Sequence, residues 1–118
     1  MPNIYISNET GHNYGLAKEI TGQDSELIAI TRGKLDSRRT DQLLFEVAEA
    51  IHDSSPDDYL ILTGPPLINF IVGAAWIAMH GQANLLVWDA FRSRYSVRSL
   101  DVPQIQHVIG RANEANDE

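Results

Sequence analysis

The chain has 118 residues, 43% of them apolar and 21% charged, with a formal net charge of −7 and no cysteine. That length predicts one domain with a core of its own. The missing cysteines exclude disulfides, thiolate metal sites and cysteine nucleophiles, and the acidic balance argues against general binding to duplex nucleic acid, which needs a broad basic surface.

Asn3–Ser7 (NIYIS) alternates and is β-branched, as a first strand should be. Met1–Ser7 has neither a basic segment nor a long apolar run, so no signal peptide is expected. Asn8–Asn13 (NETGHN) is turn chemistry, and a short helix is expected from Tyr14 to about Thr21. Glu26–Thr31 (ELIAIT) reads as a second strand, followed by the loop Arg32–Ser37, where Gly33 suits a turn. Ser37 or Thr40 is placed to cap the next helix, whose Leu43, Leu44, Val47, Ala48 and Ile51 share a face. Pro56, in the polar stretch Asp53–Asp58, forbids its continuation.

Tyr59–Leu62 (YLIL) is apolar throughout, as a central strand covered on both faces would be. After Thr63-Gly64-Pro65, Pro66 suits the first position of a helix that runs to about His80, with Gly81 as its C-terminal cap. The apolar stretch from Pro65 to Met79 is shorter than the roughly 20 residues of a membrane span, so no membrane partner and a cytoplasmic location are expected. Asn84–Trp88 reads as a fourth strand, Arg94–Leu100 as a hairpin strand, and about Pro103–Ala112 as a last short helix.

Strand alternating with helix predicts a three-layer Rossmann-like α/β domain over residues 1–112. Its sheet is mostly parallel, with a C-terminal antiparallel hairpin edge; residues 113–118 form a polar acidic tail. Ligands in such sheets bind beyond the carboxyl ends of the strands, near the switch in strand order. The loops Ser7–His12, Thr31–Ser37, Thr63–Pro66 and Asp89–Arg94 all lie at that edge. Seven of the nine Lys and Arg start there too, in two groups: Arg32, Lys34, Arg38 and Arg39, then Arg92, Arg94 and Arg98. Two basic groups at one edge of an acidic protein point to an anionic ligand, although solvated arginines paired with Asp36, Asp41 or Asp101 would produce the same pattern at about 0–1 kcal/mol each.

The first loop is the richest in chemistry, with Ser7, Asn8, Glu9, Thr10 and His12 ahead of a helix start that can receive a phosphate. It can equally be a polar turn capping that helix. Thr63, Gly64 and Pro65 precede a second helix start, Arg32 and Lys34 follow a strand's carboxyl end, and Asp89 can hold a ribose hydroxyl or close the hairpin. No G-x-G-x-x-G, Walker or G-x-S-x-G pattern is present. The four histidines do not fall at metal-ligand spacing, so neither a metal nor another cofactor is expected. The helix Leu67–Met79 is apolar nearly all round, which predicts that part of it meets another subunit or is covered by the C-terminal segment.

The order of elements, with Thr63-Gly64 after a strand, an apolar helix ending His80-Gly81 and a terminal hairpin, resembles a CARF-type domain. More narrowly it is similar to the small single-domain ring-nuclease-like proteins of type III CRISPR systems, which act in antiviral defence, and their viral counterparts. The resemblance implies a homodimer binding a cyclic oligoadenylate across its two-fold axis, with Ser7–His12 and Thr63–Pro66 as contacts. The leading expectation is thus a homo-oligomeric binder of a small phosphorylated ligand, a cyclic nucleotide signal, that sequesters it or cleaves it slowly. In a metal-independent cleavage, Glu9 or His12 would assist a 2′-hydroxyl. The competing expectations are an assembly protein without a small-molecule site, and a small hydrolase or transferase using the first loop.

Overall fold

The structure, a computed structural model, describes residues 2–116. Strand β1 (Ile4–Glu9) leads through a 3₁₀ turn (Gly15–Ala17) into the single-turn helix α1 (Lys18–Thr21), then β2 (Leu27–Arg32) and α2 (Thr40–Ala50). Next come β3 (Tyr59–Ile61), α3 (Pro66–His80), the hairpin β4 (Gln82–Asp89) and β5 (Arg94–Asp101), and α4 (Val102–Asn116). The sheet order is β2-β1-β3-β4-β5, parallel except for β5. From β1 the chain steps to β2 on one side and returns to β3 on the other, so the switch in order lies between β1 and β3. This is the expected Rossmann-like α/β fold with its antiparallel hairpin edge.

The pleat divides the core in two. Tyr5, Ile30 and Leu60 face α2 and α3 and pack with Val47, Ile51, Ile68, Val72 and Trp76. Ile4, Ile6, Ile61 and Leu86 face the other way, against Tyr14 and Ala17. Two helices therefore cover one face, and only the short Gly15–Thr21 segment covers the other. The predicted helix from Tyr14 is reduced to a 3₁₀ turn and one α-turn, bounded by Gly15 and by Gly22 at φ +108°.

Helix α3 keeps both predicted ends: Pro66 opens it, and Gly81, at φ +72°, donates its N–H to the Ile77 carbonyl at 2.8 Å. Trp76 is fully buried, edge-on to Tyr5 at 5.3 Å and to His80 at 4.9 Å. The cap predicted for α2 does not form. Arg39 holds the N-cap position, and no side chain among the described residues caps it. Asp36 organises the turn before it, accepting from the Arg38 N–H and guanidinium at 3.1 Å each. That pairing holds the Asp36 carboxyl below its ordinary range, and it offsets positive charge where the helix dipole disfavours it.

On α2, Leu43, Val47 and Ile51 are buried, but Leu44 and Ala48, predicted on the same face, are exposed. The C-terminal segment does not cover α3 either. Helix α4 continues through Asn113–Asn116, the start of the predicted tail, and residues 103–115 are all exposed; residues 117 and 118 lie outside the described residues. No helix among the described residues is long and apolar enough to cross a membrane.

Candidate functional site

At the switch point β1 runs on through Glu9, where the sequence predicts a loop from Asn8, and its carboxyl end is tied to its neighbours by part-buried and buried hydrogen bonds. Ser7 Oγ accepts from the Thr63 N–H at 2.8 Å, and its own proton lies within reach of the Thr63 carbonyl at 2.8 Å and Asn69 Oδ1 at 2.5 Å. Asn8 donates from Nδ2 to the Gly33 carbonyl at 3.0 Å and accepts at Oδ1 from the Thr31 hydroxyl at 3.0 Å. That hydroxyl also reaches the Ser7 carbonyl at 2.6 Å. Gly64, at φ +92°, passes so close that a Cβ there would lie 2.8 Å from Asn8 Cβ. Ser7 and Asn8 are buried, and their polar atoms are committed to joining three loops.

Beside this latch, on the thinly covered face, lies a cleft of about 420 Å³, within the range of small-molecule sites. His12 and Tyr14 of the first loop form one wall, Trp88 and Tyr95 of the hairpin the other, with Thr63 and Leu86 between. Trp88 and Tyr95 are opposite each other in the β4–β5 register, so both point to this face, ring centroids 5.1 Å apart. His12 stands edge-on to Tyr14 at 6.3 Å. Tyr14 is only 6% exposed, and its hydroxyl has no hydrogen-bond partner among the described residues. Burial, reinforced by the neighbouring Tyr14, pushes the Tyr95 phenol above its ordinary range. The site is aromatic and aliphatic, with no Asp, Glu, Lys or Arg in its lining.

Of the residues nominated from the sequence, His12 and Thr63 line the cleft, and Ser7, Asn8 and Gly64 form the latch behind it. Glu9 accepts the Gly11 N–H at 2.5 Å and pairs with Arg32 at 3.4 Å. Glu9 and Arg32 are also partners in the β1–β2 register, on the same sheet face as Tyr5 and Ile28, so they project on the α2 side rather than into the cleft. No hydrogen bond joins Glu9 to His12 among the described residues. Thr10 is exposed, and Pro65 is the extended residue before α3. Lys34 lines a second hollow of about 200 Å³ with Arg39, Asp36 and Glu46. Asp89 closes the hairpin, accepting the N–H groups of Phe91 at 3.0 Å and Arg92 at 3.3 Å.

Composition and spacing do not single out Tyr14, Trp88 or Tyr95. The signal that finds the last two is their register: aligning Asn84–Trp88 against Arg94–Leu100 sets both rings on one face. Among the described residues no three His, Asp or Glu side chains come together as a metal site would require.

No curated protein and no solved structure matches the chain. A family model does match, the one described as phage Pam3 gp32-like protein, over residues 5–102. That stretch runs from Tyr5, the second residue of β1, through the latch, the cleft and the whole hairpin to the first residue of α4. With most of its length inside the match, the chain belongs to the phage Pam3 gp32-like protein family.

Proposed function

We propose that this protein binds and sequesters a small phosphorylated ring compound, a nucleotide of the cyclic signalling class, in the cleft between the first loop and the hairpin. The observation that carries this is the aromatic lining beside the switch point, formed by Tyr14, Trp88 and Tyr95 in a cleft of about 420 Å³. Aromatic side chains take a nucleobase by its face, at about 1–3 kcal/mol per base. His12 and Thr63 supply polar groups in the same lining. The contacts therefore shift from Arg32 and Lys34 to the hairpin. Of the two nominated acid–base residues only His12 lines the cleft, so any slow cleavage would fall to it.

The test is native mass spectrometry of the purified protein, then titration with mononucleotides and with cyclic mono- and oligonucleotides, read by tryptophan fluorescence. Trp76 is buried and Trp88 half exposed, so a Trp76→Phe background isolates the cleft. We expect stoichiometric, saturable quenching. Trp88→Ala removes that reporter, so its affinity is read by titration calorimetry beside the parent protein, and it should weaken binding roughly 5- to 150-fold, the equivalent of about 1–3 kcal/mol of stacking. Binding unchanged by Trp88→Ala but abolished by Arg32→Ala would overturn the cleft as the site. A protein that stays empty across the panel would overturn the reading in favour of an assembly protein, which exposed Phe45 and Phe70 on α2 and α3 favour.

A further inference from the structure

Helix α4 leaves the domain from a fixed point. The Val102 N–H donates to the Gly81 carbonyl at 2.9 Å, and the Asp101 carboxylate accepts the Gln104 N–H at 2.7 Å. Beyond that first turn its apolar side chains have no cover: Val108 is 58% exposed and Ile109 54%. A 15-residue helix is marginal in water without a packed face, and this one includes Gly110 and Asn113, both poor helix formers.

The apolar residues are arranged as one seam. Val102, Ile105, Ile109 and Ala112 recur at spacings of three, four and three, the pattern of the buried positions in a coiled coil, with β-branched residues at three of the four. Gln106, Val108 and Asn113 flank that seam, and His107, Arg111 and Glu114 fall away from it by the same periodicity. On a chain of net charge −7 this is the condition for meeting an identical copy, because no like charges are brought opposite one another.

The surface area agrees. A monomer of this mass should expose roughly 6,400 Å², whereas the chain exposes 7705 Å². The excess, about 1,300 Å², exceeds the roughly 800 Å² that each partner contributes to a standard interface. The radius of gyration is likewise 15.5 Å, against roughly 13.5 Å for a compact domain of this length. Leu100, exposed near the end of the strand from which α4 departs, adds apolar surface to what the helix alone could bury.

We infer that α4 pairs with α4 of a second copy of this chain along the seam of Val102, Ile105, Ile109 and Ala112. Ile109 is the midpoint of the helix, so it meets its own copy whether the two helices run parallel or antiparallel. The pairing is independent of what the cleft binds.

The experiment is sedimentation velocity on the full chain at micromolar to tens of micromolar concentration, with circular dichroism to follow the fold. The wild type should sediment as a dimer or higher oligomer. Ile109→Glu should give the monomer mass with the sheet signal retained, and His107→Glu, off the seam, should leave the mass unchanged. Since the chain has no cysteine, Ile109→Cys should cross-link to a dimer on oxidation while His107→Cys does not. A monomeric wild type, an assembly that survives Ile109→Glu, or one broken by Phe70→Glu on α3 and not by Ile109→Glu would each overturn the inference.

Discussion

With the Thr63 N–H at one lone pair and its own proton directed to Thr63 or Asn69, the Ser7 hydroxyl has little left to offer a substrate. Ser7→Ala should leave a part-buried N–H and a carboxamide oxygen unpaired, at about 1–3 kcal/mol, seen as a lower urea midpoint with unchanged slope. Gly64→Ala should be at least as damaging, because φ +92° is unfavourable for alanine and its Cβ would press on Asn8. The two tyrosines with displaced phenols make an alkaline prediction. Burial raises both Tyr5 and Tyr95 above the ordinary 10.0, so the folded state holds these protons more tightly than the unfolded chain. Their contribution is complete below pH 10.0 and is lost as pH rises through the raised values. Tyr95→Phe should flatten the decline of melting temperature above that pH and leave the acid side unchanged.

At the scale of the element, α3 shows that apolar composition does not decide burial. Trp76 and Phe70 sit on one helix six residues apart, yet the first is fully buried between Tyr5 and His80 and the second is 76% exposed. Trp76→Ala should cost about 3–5 kcal/mol, while Phe70→Ala should stay within about 0.5 kcal/mol; chemical denaturation of the pair distinguishes them. The hairpin behaves as a unit in another sense. Its eight register pairs place Trp88 and Tyr95 on the cleft face, and Arg94 and Arg98 on the opposite face with Leu100. Two of the three arginines of the second basic group are thereby turned away from the cleft.

For the whole molecule, the unequal cover of the two sheet faces is what makes room for the cleft. One-residue pleating sends Glu9 and Arg32 to the helical side and the aromatic wall to the other. The same molecule carries −7 on one small domain and an uncharged helical seam on its outside. Those features oppose each other in solution, since net charge repels copies that the seam attracts. Raising ionic strength shortens the screening length from about 10 Å at 0.1 M to about 3 Å at 1 M, so association should strengthen with salt. Sedimentation equilibrium across a roughly tenfold range of NaCl concentration checks this, and dissociation by salt would point instead to ion pairs at the interface.

The sequence by itself determined the strand–helix order, the parallel sheet with its hairpin edge, and both ends of α3. It could do so because periodicity, Pro66 and Gly81 act locally, within a few residues of the features they specify. It also marked the first loop and the Thr63 turn as neighbours, since topology alone brings them to the switch point. What only the tertiary structure decided is what each of those residues faces. Ser7 and Asn8 turned inward because partners from β2, from the turns after β2 and β3, and from α3 consume their polar atoms, and Arg32 left the site because the pleat puts it beside Glu9. Tyr14, Trp88 and Tyr95 became a wall because strand register and a thin third layer, properties of residues far apart in the chain, bring their rings around one space.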